Sequence, residues 1–320
     1  MEFYDIFNGD ADGLCALQQL RLAVPREAVL VTGAKRDIAL LSRVDARAGD
    51  DLTVLDVAVA PNRVDLDRVL AAGAGVEWFD HHTPGPLPDH PRFTARIDTA
   101  SDVCTSVLVD RSLGGRYRRW AVAGAYGDNL SETASRLASQ LGLGDDERRL
   151  LQRLGECLNY NAYGDTVDEL RFHPAELHRR LRPHNDPRRF ATDDPAFAAL
   201  EAVMAEDWRN AESVSPRYES AAAVCFELPD APWSRRVSGL FANRIASADP
   251  NRAHAVLTPS RGSFTVSIRA PLVRPEGADR VAARFPSGGG RARAAGVNAL
   301  PPSAVPELLS VLSEVYDVSV

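Results

Sequence analysis

The first 130 residues alternate short apolar runs with stretches of helical periodicity, and this alternation constrains the fold more than any other feature. Runs of strand length are FYDIF, AVLVT, LTVLDVAV and GVEWFDHH, which begin at residues 3, 28, 52 and 75. The intervening stretches LCALQQLRLAV (14–24), IALLSRV (38–44) and VDLDRVLAAG (64–73) have the apolar spacing of helices. Strands that alternate with helices of this length indicate βαβ units, so we predict a mainly parallel sheet.

The rest of the chain changes character twice. Residues 101–215 look mainly helical, whereas strand patterns such as AHAVLTP and SFTVSIRA return after residue 220. We therefore predict an α/β protein with a parallel-sheet catalytic, metal-binding domain at residues 1–190. A helical connector at residues 191–215 and a smaller α+β domain at residues 216–320 follow it.

The charge of the chain limits the partners that it can have. A formal net charge of −7 disfavours a protein that coats long nucleic acid through a basic surface. A short phosphorylated substrate is compatible with that charge, because a local cluster of metals and arginines can bind it. The basic residues are almost all arginine, Lys35 being the only lysine, so each arginine has to be argued from its position.

Two features of the sequence bear on its cellular environment. The N-terminus MEFYDIFNGDADG has acidic residues where a secretory signal has positive ones, and no apolar run reaches the roughly 18 residues of a membrane span. The four cysteines lie far apart without a CxxC pair, which argues against a zinc site and against a disulfide framework. We therefore predict a cytoplasmic protein without a membrane partner.

Acidic residues and histidines follow the predicted strands. Asp10 and Asp12 come after the first strand, Asp56 ends LTVLD, and Asp80 with two histidines ends the fourth strand. If the backbone at residues 10–12 is extended, the two carboxylates there share one face. Asp128 comes after the helical stretch WAVAGAY. Because functional groups collect beyond the carboxyl ends of parallel strands, we expect these side chains to converge.

The chemistry of these side chains indicates a metal centre. Carboxylates that converge repel each other unless cations neutralise them. Mixed oxygen and imidazole ligands suit Mn²⁺ or Fe²⁺, with Mg²⁺ as an alternative, whereas thiolate-loving metals are disfavoured. Two such ions roughly 3.5–4 Å apart stabilise the attacking and leaving oxygens in phosphoryl transfer. The sequence therefore predicts a metal centre, with two Mn²⁺ ions as the leading choice.

Five motifs, in this order, resemble those of the DHH phosphoesterase superfamily. NGDADG, LDVA, DHH and GAYGDN are similar to its motifs I to IV. FPSGGGRARAAG (285–296) is similar to the GGGH-x-x-AAG element of its DHHA1 substrate-binding domain. The resemblance covers nearly the whole chain. It implies a parallel-sheet DHH domain, a smaller DHHA1-like domain and an active site in the cleft between them.

The resemblance also implies roles for the acidic group. The family's metal ligands would fall on Asp10, Asp12, Asp56, His81 and Asp128. One metal would bind Asp10 and Asp56, and the other would bind the remaining three ligands together with Asp56, which bridges. His82 would face the substrate phosphate and stabilise charge or protonate the leaving group. Asp80 would orient a histidine.

Two positions depart from the family pattern. The family often has a histidine two or four residues before the first aspartate, and those positions are Asn8 and Ile6 here. Isoleucine cannot ligate a metal, whereas the Asn8 amide oxygen is a weak candidate ligand, so we expect the first metal to bind less tightly. The second departure is Arg291, which stands where the family usually has the histidine of GGGH.

In the DHHA1-like region the resemblance implies groups that bind phosphate. The three glycines would let backbone N–H groups approach a phosphate closely. Arg291 would hold a 5′-phosphate or the O6/N7 edge of a guanine, unless it is an exposed loop residue. Arg269, in SIRA, matches an arginine that contacts substrate in the family. The candidate substrate contacts are Asn243, Arg269, Gly288, Gly289, Gly290 and Arg291.

Two weaker features leave their alternatives open. NYNAYGD (159–165) is either a capped turn packed near the cleft or a surface that meets a base. Arg244, beside Asn243 on a predicted helix, is either a phosphate contact or part of a solvated helix face.

We interpret the chain as an enzyme, a metal-dependent phosphoric diester hydrolase. The leading hypothesis is an Mn-dependent phosphodiesterase that hydrolyses short linear dinucleotides, such as pGpG, or nanoRNA to mononucleotides. A pAp-type nucleotide phosphatase, a RecJ-like single-strand exonuclease and a catalytically impaired nucleotide-binding regulator are the alternatives. We expect no stable complex with long nucleic acid, and a homodimer is an open alternative because dimers occur in the superfamily.

Overall fold

The computed structural model describes residues 1–316, so the last four residues of the predicted C-terminal domain lie outside it. Contacts divide the chain into an N-terminal unit, Met1–Val203, and a C-terminal unit, Met204–Val320. A single long helix, Pro195–Glu212, occupies most of the predicted connector. Within residues 1–316, none of the helices is both long and apolar enough to cross a lipid bilayer.

The N-terminal unit is built on a five-stranded sheet in which every neighbouring pair is parallel. Its strands are β1 (Phe3–Asn8), β2 (Val29–Gly33), β3 (Asp51–Leu55), β4 (Gly75–Asp80) and β5 (Phe93–Ile97), in the order β2-β1-β3-β4-β5. Adjacent residues of the central strands, such as Ile6 and Phe7 or Val54 and Leu55, point to opposite faces and are all buried. Both faces of the sheet are therefore covered, as the continuous apolar runs predict.

Helices accompany this sheet throughout the described part of the unit. They are α1 (Ala11–Ala23), α2 (Val59–Ala71), α3 (Thr105–Ser112), α4 (Arg118–Gly127), α5 (Ser131–Gln140), α6 (Asp145–Asn161), α7 (Pro174–Leu181), α8 (Pro187–Asp193) and α9 (Pro195–Glu212). The stretch IALLSRV, predicted as a helix, forms only a 3₁₀ turn at Leu40–Arg43. Strand β5 was not predicted, because its side chains are only half-buried or exposed and its apolar content is low.

The C-terminal unit, in the part that the structure describes, combines a six-stranded sheet with three helices. Its strands are β6 (Pro216–Glu219), β7 (Ala223–Glu227), β8 (Ala253–Ser260), β9 (Ser263–Arg269), β10 (Gly288–Arg291) and β11 (Ala294–Leu300), in the order β10-β11-β9-β8-β7-β6. Only β7 and β8 pair in parallel, and the other described neighbours are antiparallel. The helices are α10 (Pro232–Ala248), α11 (Ala278–Ala282) and α12 (Val305–Tyr316). This is the predicted smaller α+β arrangement.

The three glycines predicted to bring backbone N–H groups close to a phosphate lie in a strand. Gly288, Gly289 and Gly290 belong to the edge strand β10 and pair with Val297, Gly296 and Ala295 of β11. A Cβ at Gly288 would fall 1.8 Å from the Ala282 carbonyl oxygen, and one at Gly290 would fall 2.4 Å from Ala295 Cα. The glycines thus allow close backbone packing, a need that a run of three glycines does not distinguish from loop flexibility.

Candidate metal centre and arginine pocket

The first aspartate of the candidate centre is the N-cap of α1. Asp10 Oδ1 accepts hydrogen bonds from the backbone N–H groups of Asp12 and Gly13, at 3.0 and 3.1 Å. The predicted extended geometry at residues 10–12 is therefore wrong, since Asp12 already lies in the first turn of the helix. An aspartate directly after a strand satisfies the free N–H groups of a following helix, and this capping outweighs continued extension.

Asp12 is held from a distant part of the sequence. Its two carboxylate oxygens accept the backbone N–H groups of Thr105 and Ser106, both at 2.7 Å, at the beginning of α3. The Thr105 hydroxyl also donates to Asp56 Oδ1 at 3.2 Å. The start of α3 thus orients two carboxylates of the centre. Sequence reasoning missed these residues, although a Thr-Ser pair at the start of a helix is a recognisable signal.

Asp56 follows β3 and takes up an unusual backbone conformation. Its φ of 57° lies in the left-handed region, where aspartate is tolerated better than most residues. Its own N–H donates to the Phe79 carbonyl oxygen at the end of β4, at 3.0 Å. Only 2% of Asp56 is exposed, and its Oδ1 lies 3.4 Å from His81 Nε2. The turn therefore directs this carboxylate to the carboxyl edge of the sheet.

Two histidines follow directly after β4, whose last residue is Asp80. Asp80 is fully buried, and its Oδ1 lies 2.8 Å from His82 Nδ1. Because a carboxylate can only accept, this contact puts a proton on Nδ1 and leaves Nε2 of His82 as the ring nitrogen available to a substrate. The side chain of His82 is 47% exposed, whereas that of His81 is 20% exposed and points to the carboxylates.

Asp128 reaches the centre from the end of α4, where it is the C-cap. Its Oδ2 lies 3.9 Å from His81 Nε2. The preceding Gly127 allows α4 to approach α1 closely, because a Cβ there would meet the Ala11 Cβ at 2.3 Å. A larger residue at this position would push Asp128 away from the strand ends.

These side chains converge on two small groups of ligand atoms. One group comprises Asp12, His81 and Asp128, and the other Asp56, His81 and His82, each with its ligand atoms within 4.8 Å of one another. Carboxylate and imidazole donors at this spacing suit Mn²⁺, Fe²⁺ or Mg²⁺ and contain no thiolate. The donor set therefore fits the predicted divalent cation.

Crowding of the carboxylates is visible in their protonation equilibria. Burial raises the pKa of Asp56 well above its ordinary value, and Asp10 and Asp12 raise it further. Burial and the same two neighbours raise the pKa of Asp128 to about 7. Burial lowers the pKa of His81, but its hydrogen bond to Asp56 and the nearby carboxylates outweigh that effect and raise it to about 10. The centre concentrates negative charge that a cation would neutralise.

One cation of the chain itself already contacts this centre. Lys35 Nζ donates to Asp10 Oδ2 at 2.7 Å and to Asn159 Oδ1 at 2.9 Å, and it lies 5.8 Å from the centroid of the Tyr163 ring. Burial by itself lowers the pKa of Lys35, but the ion pair with Asp10 raises it above its ordinary value. Sequence reasoning did not assign Lys35 to the site, although it is the only lysine in the chain.

A cavity of about 310 Å³ opens beside these residues, and Asn8, Lys35, His81, His82 and Asp128 are among the residues that line it. Asn8 Oδ1 accepts the Asp10 N–H at a long 3.3 Å, so its amide oxygen faces the turn of motif I. Ile6 is completely buried in β1. Neither position supplies the imidazole that the family often has there.

The cluster NYNAYGD has two parts with different contacts. The Asn161 side chain donates to the Phe172 carbonyl oxygen and accepts the Phe172 N–H, at 2.9 and 3.0 Å, and so fixes the turn that follows α6. Asn159 and Tyr163, in contrast, surround the ammonium group of Lys35. The first asparagine therefore belongs to the candidate centre, and the second is structural.

Predicted substrate contacts of the C-terminal unit come together in a second cavity, of about 640 Å³. Its charged lining residues, within the described part of the chain, are Arg269, Arg291 and Arg293, and Asn243 lies beside them. Arg269 Nε donates to Asn243 Oδ1 at 2.6 Å, which fixes the guanidinium against α10. Arg291 is the last residue of β10, and Arg293 is the second residue of the two-residue turn before β11. We call this cavity the arginine pocket.

Four of the other predicted or candidate substrate contacts of this unit lie outside the arginine pocket. Gly288, Gly289 and Gly290 do not line the arginine pocket. Arg244 pairs with Glu212 at 2.5 Å and stacks over the Trp208 ring at 4.9 Å, so its guanidinium is engaged by the fold. Arg293, which the sequence reasoning did not single out, joins the pocket because the hairpin turn brings it next to Arg291.

No family model and no curated protein matches this chain by sequence. Solved structures do match its fold. An exonuclease RecJ bound to manganese shares 17% identity with a TM-score of 0.61, over 98% of this chain and 89% of that one. A DHH-domain protein described as a member of a family of ribosomal proteins shares 12% with a TM-score of 0.60, over 98% and 86%.

The pGpG-specific phosphodiesterase PggH from Vibrio cholerae shares 12% identity with a TM-score of 0.57, over 98% of this chain and 99% of that one. At these identities the likeness concerns the fold. The fold extends over both units, as the order of the motifs along the sequence predicts. The chain therefore has the DHH fold.

Proposed function

We propose that this chain is a divalent-metal-dependent phosphoesterase that hydrolyses short linear nucleotides, dinucleotides such as pGpG first, to mononucleotides. The observation that carries the proposal is the convergence of Asp12, Asp56, His81 and Asp128 at the carboxyl edge of the parallel sheet. Similar folds that include a manganese-bound exonuclease and a pGpG-specific phosphodiesterase support the same class of reaction.

The four converging residues would hold the ion, for which Mn²⁺ is our first choice. When bound, a divalent ion supplies Lewis-acid charge to the oxygens of a phosphate ester. The protein's own contribution is orientation, because the backbone of α3 fixes Asp12 and the left-handed turn fixes Asp56. Such outer contacts keep ligands in place before the ion and the substrate arrive.

His82 is the proposed proton donor to the leaving group. Its Nδ1 is held by the buried Asp80, so the ring has a fixed orientation and Nε2 is the nitrogen that would meet the leaving group. Its exposure makes it accessible to a substrate, in contrast to His81, which is directed toward the carboxylates. A positioned histidine of this kind contributes typically 10²–10⁴-fold to a proton-transfer step.

The arginine pocket is the proposed binding site for the part of the substrate that does not react. Three guanidinium groups favour a phosphate, and the planar fork of Arg291 also matches the O6/N7 edge of a guanine. The net charge of −7 favours short substrates over long polymers, because it gives no broad basic surface. The cytoplasmic location is part of the proposal.

The test is a substrate panel for the full chain loaded with Mn²⁺. It includes 5′-phosphorylated di- to decanucleotides, pAp and cyclic dinucleotides, with products resolved by chromatography and released phosphate measured separately. We expect mononucleotides from the shortest linear substrates and slow or no turnover of the longest ones. A base preference among the dinucleotides would identify what the arginine pocket reads.

Other outcomes of the panel identify the alternatives. Stepwise shortening of the longest substrates would establish a RecJ-like exonuclease. Phosphate release from pAp without diester cleavage would establish a nucleotide phosphatase. Tight binding of a dinucleotide without any product, under conditions in which bound Mn²⁺ is demonstrated, would replace the enzyme by a nucleotide-binding regulator.

A further inference from the structure

Lys35 stands where the acidic centre most needs a cation. Its ammonium group lies 2.7 Å from Asp10 Oδ2, and its backbone N–H is anchored to the Ala162 carbonyl oxygen at 2.9 Å. Asn159 accepts a second hydrogen bond from the ammonium at 2.9 Å. These contacts come from the N-cap of α1 and from the end of α6, so the position of the charge is fixed from two sides.

Both carboxylate oxygens of Asp10 have hydrogen-bond partners in the chain, and the Asp56 side chain also contacts this carboxylate. One oxygen accepts two N–H groups of α1, and the other accepts Lys35 Nζ. Only 3% of Asp10 is exposed. Among residues 1–316, neither group of converging ligand atoms includes Asp10. Asp10 therefore acts in this structure as the partner of a helix end and of an ammonium group.

The residues near Asp10 in β1 also offer few ligands to a metal ion. Ile6 is apolar and buried, and Asn8 offers one neutral amide oxygen. Neither position supplies an imidazole beside Asp10, whereas His81 lies 3.4 Å from Asp56 and belongs to one group of converging ligand atoms with Asp12 and Asp128. The positions that lack a metal-ligating side chain, Ile6 and Asn8, therefore lie near Asp10, the carboxylate that Lys35 contacts.

The identity of the residue adds an independent argument. The chain has 37 basic residues and uses arginine for all of them except Lys35. An ammonium group is a compact point charge with three donors, whereas a guanidinium is a planar fork with five. A chain that otherwise uses arginine has its one lysine in contact with Asp10 of the acidic centre.

We propose that the ammonium group of Lys35 takes the place of one of two divalent cations, so that each chain binds a single divalent ion through Asp12, Asp56, His81 and Asp128. Asp10 is then the counter-ion of Lys35. The inference rests on the metal-dependent function proposed above, because it concerns how many ions that centre holds.

The test counts bound Mn²⁺ in the full chain by equilibrium dialysis with elemental analysis, and records its electron paramagnetic resonance spectrum. We expect one Mn²⁺ per chain, with the spectrum of an isolated ion. In the double variant Asn8→His, Lys35→Met, which removes the charge and supplies an imidazole, we expect a second Mn²⁺ per chain and the broadened spectrum of two coupled ions. Arg36→Ala, an exposed neighbouring cation, is the control and should keep one ion.

Two ions bound to the unaltered chain would overturn the inference, and so would a folded double variant that still binds one. Circular dichroism and thermal unfolding establish that the double variant is folded. Lys35→Met alone gives a second measurement if the double variant does not fold, with weak binding of a second ion expected. A chain that binds one ion but hydrolyses no substrate would refute the proposed function and leave the single-ion inference intact. A chain that hydrolyses the substrate with two bound ions would support the proposed function and refute the single-ion inference.

Discussion

The acidic centre of the N-terminal unit and the arginine pocket of the C-terminal unit are built in opposite ways. The centre consists of short, buried or half-buried side chains whose positions follow from the backbone, since each stands at or just after the end of a strand or helix or in the first turn of a helix. The pocket consists of long arginine side chains, two of them exposed, on a hairpin turn and a neighbouring strand. Rigid placement suits groups that act on reacting atoms, whereas long, adaptable cations suit recognition of charge.

This difference predicts that variants of the acidic centre mainly lower kcat, whereas variants of the arginine pocket mainly raise KM. A group that acts only in the transition state affects kcat, and a group that binds substrate equally before and during the reaction affects KM. If both regions lowered kcat alike, the division of labour proposed here would be wrong.

The largest effect is expected from Asp56→Asn. Asparagine tolerates the left-handed backbone at this position, so the variant keeps the fold but loses the charge that would ligate the ion. Loss of outer contacts to metal ligands typically costs 10–100-fold, so loss of a ligand should lower activity by more than about 100-fold. Turnover of the preferred dinucleotide and bound Mn²⁺ are measured together. Asp45→Asn, an exposed aspartate ahead of β3, is the control, and near-normal turnover of Asp56→Asn would remove Asp56 from the centre.

A somewhat smaller effect is expected from His82→Gln. Without the proton donor, kcat should fall by about 100-fold, while bound Mn²⁺ stays unchanged because the proposed ligands are retained. Asp80→Asn keeps an acceptor for His82 Nδ1 and should lower kcat by only about 10-fold. His90→Gln, in the loop ahead of β5, serves as the control. Loss of metal from His82→Gln would assign this histidine to the ligands instead.

The smallest effects are expected in the arginine pocket. Arg269→Ala should raise KM by about 10-fold with little change in kcat, because it removes a charged contact that Asn243 holds in place. Arg291→Ala should raise KM less, since its side chain lies on the exposed hairpin turn. Arg280→Ala, an exposed arginine of α11, is the control for net charge. An unchanged KM in both variants would show that the pocket does not bind the substrate.

The same contrast explains how much of the molecule the sequence could predict. Asp56 and Asp80 were predictable as neighbours, because the carboxyl ends of parallel strands meet at one edge and apolar runs identify those ends. The contact between Asp12 and the start of α3 joins residues 93 apart, and that between Lys35 and Asn159 joins residues 124 apart. Such pairs depend on how helices pack, for which no local pattern exists.

The arginine pocket shows a different limit. The resemblance in FPSGGGRARAAG predicted glycines that approach a phosphate, whereas the structure places them in the edge strand β10, because glycines that allow close packing look the same as glycines that form a loop. Arg269 and Arg291 were singled out separately, and the sheet register that brings them to one cavity could not be derived from either motif. Arg293 was missed for the same reason.

The backbone of Asp56 has a consequence for the evolution and engineering of this chain. A non-glycine residue at φ 57° costs on the order of 1 kcal/mol, which glycine would not cost. A search for substitutions that only raise thermal stability would therefore select glycine at position 56. The resulting protein would be more stable but would lack the carboxylate proposed to bind the metal ion. The residue that chemistry needs most is one that selection for stability alone would discard.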